Sequence, residues 1–164
     1  MAKKYEKNAI GGMLVDKKKE EVIKELIYNQ SKENVLMELD NIEDAEIVHV
    51  YMWNYNWDDG FDIPQKILAK DCCELSTALL IFYLAGGEKY LLDKVNMEES
   101  KLSEWSLFLQ DLYNQIMNGK FKVGNIYFES PLSKVQLYKI KKNMKEGEEI
   151  FVDKFGEKNL NIVL

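Results

Sequence analysis

The 164-residue sequence predicts a mainly α, multi-helical single domain with a minor β element near the C-terminus. Three observations carry that reading. Apolar residues recur at steps of three and four in several segments, which is the spacing of one helical face. Side chains able to cap a helix stand ahead of those segments. The two prolines, Pro64 and Pro131, both sit where a helix can begin. A chain of this length fits one domain of about 100–200 residues. With 46% hydrophobic and 12% aromatic residues it can bury a core, which excludes intrinsic disorder.

In chain order, the first predicted helix covers about Lys17 to Asn29, with Val22, Ile23, Leu26 and Ile27 on one face. A short second helix runs from Lys32 to Leu39 behind Ser31 as N-cap. A third starts after Asp40, whose spacing to Glu43 is that of a capping box, and continues to about Asn54. Its apolar positions, from Ile42 to Trp53, span too wide an arc for a surface helix, so it is expected to be central and buried. The segment Asn56-Trp57-Asp58-Asp59-Gly60-Phe61-Asp62 breaks that helix, and Pro64 opens a short one over Ile63 to Ala69. Asp71 with Glu74 forms a second capping-box pattern, opening a helix through Leu84 that Gly86-Gly87 closes. Leu102, Trp105, Leu109, Leu112 and Ile116 mark a long helix from about Lys101 to Met117. Beyond it, Phe121 to Phe128 reads as a short strand region interrupted at Gly124. Ser130-Pro131 opens a helix through Ile140, and Glu149 to Val152 reads as a second strand.

The net charge is −6, and all 22 basic residues are lysine. Arginine supplies the planar fork that grips phosphates and guanine edges, so its absence argues against nucleic acid as a partner. The lysine run Lys139, Lys141, Lys142 and Lys145 is expected to be a solvated helix end that complements the helix dipole. Gly11-Gly12 and Gly86-Gly87 do not form a spaced phosphate-cradling loop. No apolar stretch reaches the roughly 20 residues that span a bilayer, and no leader follows Met1–Asn8, so a cytoplasmic protein without a membrane partner is expected. The two cysteines, Cys72 and Cys73, are adjacent, which excludes a disulfide scaffold and a paired Cys-x-x-Cys zinc site. No cofactor is expected.

The most distinctive stretch runs from His49 through Tyr55-Asn56-Trp57-Asp58-Asp59-Gly60 and Pro64. It continues with Cys73-Glu74-Leu75-Ser76-Thr77-Ala78-Leu79, Phe82-Tyr83-Leu84 and Gly87. These residues resemble the bacterial family known as domain of unknown function 4274, with Glu74, Ser76 and Gly86 departing from its Asp, Gly and Asp. On that resemblance, residues 42–87 are the family-like core and residues 120–164 an α+β extension. The resemblance implies no activity of its own. Small acidic proteins of this kind look like members of toxin–immunity neighbourhoods.

Several residues are chemical candidates. His49 could serve as a general base oriented by Asp58 or Asp59, although a buried histidine donating to a core partner is the favoured reading. Asp58, Asp59 and Asp62 could hold a hard cation, but they lack the alternation and distal glutamate of a Ca²⁺ loop, so turn and cap roles are favoured. Cys73 near a helix start could pair with His49 as a thiolate, or act as a small buried hydrophobe. Tyr51, Trp53, Tyr55 and Trp57 alternate and so fan around a helix. Part of that set is core. Tyr55, Trp57 and Phe61 with Asp58 and Asp59 are the interface candidates. The function expected from this set is a non-enzymatic protein-binding module, with another protein as partner and an immunity-type neutraliser of a toxin as its narrower form. The alternative is a hydrolase-like or metal-dependent enzyme using His49 and the Asp58/Asp59 cluster.

Overall fold

A computed structural model describes residues 15–94 and 103–164. The Met1–Asn8 segment, Gly11-Gly12, and Lys101-Leu102 at the predicted start of the long helix lie outside the described residues. The architecture is mainly helical. Among the described residues there are eight α-helices: α1 (Lys17–Tyr28), α2 (Lys32–Glu38), α3 (Ala45–Trp53), α4 (Asp62–Leu68), α5 (Leu75–Leu84), α6 (Gly87–Leu92), α7 (Glu104–Met117) and α8 (Lys134–Lys142). None of them is long and apolar enough to cross a membrane.

Short polar side chains start most of these helices by accepting backbone N–H groups that have no partner within the helix. Asp16 accepts from Lys18 at 2.7 Å, Ser31 from Asn34 at 3.2 Å, and Ser103 from Ser106 at 3.1 Å. Ser133 and Gln136 form a reciprocal capping box at 3.2 and 2.9 Å. That box starts α8 three residues later than Ser130-Pro131 predicts, because only there do both bonds close.

The third helix also starts later than its predicted cap. Asp40 lies in a 3-10 turn, Leu39–Asn41, and pairs with Lys66 at 2.8 Å, while Lys70 donates to the Leu39 carbonyl at 2.5 Å. The cap is Asp44, which accepts from Glu46 at 2.9 Å and Ile47 at 3.2 Å. At α5, Glu74 occupies the cap position without a side-chain cap bond. Its carboxyl instead lies against Gly124 and takes a backbone N–H from Ile126.

The core centres on α5, whose residues from Leu75 to Tyr83 are all buried. It packs against both α3 and α7, while α1 packs against α3 and α4 against α2. Helix α3 buries Val48 to Met52, so it shares the centre with α5. Gly86-Gly87 does more than close α5, because α6 begins at once at Gly87. A Cβ on Gly87 would fall 2.2 Å from the Phe82 ring, so only glycine lets α6 fold back this tightly.

The predicted minor β element is not present among the described residues. Three isolated bridges stand in its place: Glu74 with Lys122, Ile126 with Lys158, and Phe128 with Phe155. Glu149 to Val152, predicted as a strand, falls in a 3-10 turn, Glu148–Phe151. Burial of Glu148 is the physical reason. Its carboxylate accepts from the Lys145 N–H at 2.9 Å and also from Lys94 and the Tyr113 hydroxyl, which curls the chain into a turn. Phe151 is then held against Tyr113, with ring centroids 5.2 Å apart and planes at 8°.

Candidate functional site: a cavity at His49

The acidic turn holds its aromatic residues inward and its carboxylates outward. Residues Trp57–Asp59 form one 3-10 turn, started by the Asn56 side chain accepting from Asp58 N–H at 3.3 Å. The Tyr55 hydroxyl donates to the Gly60 carbonyl at 2.7 Å and closes the loop. Trp57 packs edge-on to Tyr55 at 5.3 Å, and Phe61 stacks on Phe108 of α7 at 4.6 Å. Tyr55 is therefore buried, and Trp57 and Phe61 are half-buried. Asp58, Asp59 and Asp62 are exposed; Asp62 pairs with Lys32 at 2.6 Å, whereas Asp58 and Asp59 make no ion pair among the described residues. No group of three His, Cys, Asp or Glu side chains among the described residues is arranged to hold a metal ion.

Cys73 is buried, and its Sγ meets the Glu74 carbonyl at 3.8 Å. Burial pushes its thiol up to about 12, so it stays protonated at neutral pH. The fold does not pair it with His49. The nearby Glu74 carboxyl is raised by burial, an effect the Ile126 N–H partly opposes.

His49 sits mid-way along α3 and is 1% exposed. The packing of α3 on α5 sets its Nδ1 2.9 Å from the Thr77 hydroxyl. The other ring nitrogen, Nε2, is buried and has no partner at hydrogen-bond geometry among the described residues, although the Asn161 side chain interacts with the ring. Burial lowers the ring's pKa to about 4, against partial opposition from the Asn161 side chain, so the imidazole is neutral at pH 7. An unpaired buried polar atom costs about 1–3 kcal/mol and is uncommon, which marks this ring as a feature needing a reason.

That ring lines a cavity of about 600 Å³. Trp53, one helical turn beyond His49, stands on the same wall. Leu80, Tyr83 and Leu84 of α5 and Glu88 of α6 form a second wall. The rest comes from Tyr127 through Leu132, Gln136 of α8, and the tail residues Asn159, Asn161 and Val163.

Two pairings hold these distant segments in place. Phe128 and Phe155 exchange backbone hydrogen bonds at 2.9 and 3.2 Å, and Tyr127 N–H donates to the Lys158 carbonyl at 2.8 Å. A Cβ on Gly156, whose φ is +74°, would fall 2.3 Å from the Ile126 carbonyl, so this close approach requires glycine. The tail is clamped by Asn54, at the end of α3. Its side chain donates to the Val50 and Ile162 carbonyls, both at 2.8 Å, and accepts from Leu164 N–H at 2.9 Å.

Of the sequence candidates, the cavity wall includes His49 and none of Asp58, Asp59, Asp62 or Cys73. Tyr127, Glu129, Gln136, Asn159 and Asn161 went unnoticed in the sequence because they lie far from His49 along the chain. The Asn-rich run near the C-terminus was the available signal.

No curated protein and no solved structure matches the chain. A family model does match, and it carries the acidic turn, His49 and Thr77. It ends at the close of α7, so the cavity walls after Gly119 lie beyond it. Over residues 43–117 the chain matches the model of the family described as Domain of unknown function (DUF4274).

Proposed function

We propose that the protein is a non-enzymatic binding module that captures a basic protein partner. The observation that carries this reading is the acidic turn, where Asp58 and Asp59 project, without ion pairs among the described residues, from a base anchored by Trp57 and Phe61 on Phe108. A rigid acidic projection loses little entropy on docking and speeds encounter with a basic surface. Catalysis by His49 with Asp58 or Asp59 would require a shared site, and only His49 faces the cavity. The narrower form of the proposal is an immunity-type bacterial protein that neutralises a toxin inside the cytoplasm, which is what the family-like stretch and its acidity suggest.

The test compares wild type with the double variant Asp58→Asn/Asp59→Asn. Both side chains are exposed, so both proteins are expected to melt alike. Affinity capture from the source cell should retain a basic protein on wild type and lose it on the variant. Its association rate should fall steeply with added salt. A partner held equally by both proteins, or none held by either, refutes the proposal. For the narrower form, co-expression should relieve toxicity of that captured partner.

A further inference from the structure

Helix α8 turns a basic and partly apolar face away from the core. We propose that this face docks onto an anionic lipid surface. Ile140 is the buried residue of the helix, and Tyr138 projects from the opposite side, 67% exposed. The residues three and four positions from Tyr138 share its face: Lys134, Val135, Lys141 and Lys142, all exposed, with Val135 at 64%. Lys139 and Lys145 are exposed as well. None of these lysines forms an ion pair among the described residues.

The helix dipole accounts for part of this pattern. Lysines in the last turn complement the negative helix end, but Lys134 stands in the first turn, where a cation is disfavoured. Nor does the dipole call for Val135 and Tyr138 to stand in water. Helix α8 contains no Asp or Glu. The α6 segment packed against it carries Glu88 and Asp93 with Lys89 and Lys94 and adds no net charge, while Glu146, beyond the helix end, offsets one lysine. As a whole the protein, at −6, is repelled by an anionic surface, so docking depends on this face meeting it. Lysine is a point charge without the planar fork that grips one carboxylate or phosphate, so a lysine-only helix suits a broad layer of headgroups. Tyr138 has an apolar ring with a polar tip, the character of residues at a membrane interface. The lysine stems can lie along lipid while their charges stay in water. No crossing helix is needed, because a docked helix lies in the plane of the headgroups.

The test is co-sedimentation of the full-length protein with two kinds of vesicle, phosphatidylcholine alone and equimolar phosphatidylcholine and phosphatidylglycerol. Binding is expected to the mixed vesicles only, and it should fall steeply with added salt. Each lysine near an anionic surface is worth about fivefold in partition, so Lys141→Gln/Lys142→Gln should weaken binding about 25-fold. Lys17→Gln/Lys18→Gln, which makes the same charge change at exposed positions of α1, should bind within about twofold of wild type. All four side chains are exposed, so both variants should melt like wild type. Absence of binding to mixed vesicles overturns the proposal, and so does equal binding to both kinds. Wild-type affinity in Lys141→Gln/Lys142→Gln, or an equal loss in Lys17→Gln/Lys18→Gln, overturns it too. Binding to soluble polyglutamate without binding to vesicles overturns it in favour of an acidic protein partner. Asp58→Asn/Asp59→Asn should bind these vesicles at least as well as wild type, so this reading and the capture of a basic partner fail separately.

Discussion

His49 and Cys73 both lie against α5, and burial drives each toward its neutral form by opposite shifts: the imidazole pKa falls to about 4 and the thiol rises to about 12. For His49 the consequence is a pH-dependent stability. An unfolded histidine takes a proton as pH falls through about 6.5, while the folded one resists until about 4. Stability is therefore full above the unfolded value and is lost as pH falls between the two. Between a pH of about 7.5 and about 5, urea denaturation should record a loss of about 2 kcal/mol, and His49→Gln should remove most of that slope. Asp44 and Glu46 add a further loss at lower pH. Burial raises both carboxyls, but Lys19 bonds to Asp44, and Lys158 with Lys19 to Glu46, overcome that effect and hold both low. For Cys73, native protein treated with a disulfide reagent near pH 8 should leave this thiol unlabelled, and unfolding should expose it; mass analysis of the peptides decides. The sequence showed the residue types at these positions. It did not show that Thr77, twenty-eight positions away, takes Nδ1.

At the level of elements, helices with strong local signals lie where the sequence puts them. The first helix begins at Lys17 and Ser31 caps the second, both as expected, because a cap is a bond between neighbours in the chain. Asp40 and Glu74 have the right spacing and do different work, since Lys66 and the Ile126 N–H reach them from elsewhere in the fold. The expected strands failed for a similar reason. Apolar residues at 121–128 and 149–152 resemble strands, yet Glu148 binds Lys145 N–H and curls one of them, while the other pairs only through isolated bridges. Gly156→Ala tests the pairing that remains. Its added Cβ would strike the Ile126 carbonyl in a left-handed backbone, so the variant should lose at least about 2 kcal/mol by denaturant midpoint.

Across the whole molecule, the cavity exists because segments from both halves of the chain meet over α3. The Asn54 clamp is the joint that holds the tail there. Asn54→Ala removes its bonds to Val50, Ile162 and Leu164, and the expected loss is about 2–3 kcal/mol. Amide exchange at Leu164 should rise at the same time, while exchange in α5, buried throughout, should change only with global stability. Unaltered protection of Leu164 would show that the tail is held by Leu160, which is fully buried, and not by the clamp.

The sequence by itself determined the helical class, most helix limits, the absence of arginine, and the stretch that matches the family model. These depend on periodicity, capping and residue type, which are local properties of a chain. Only the tertiary structure decided where the carboxylates, the thiol and the imidazole stand relative to one another. It buried Cys73, left Asp58 and Asp59 on the surface, and set His49 on a cavity whose other walls include residues more than seventy positions away. Long-range proximity leaves no trace in local spacing, so a cavity built this way can be seen only once the chain is folded.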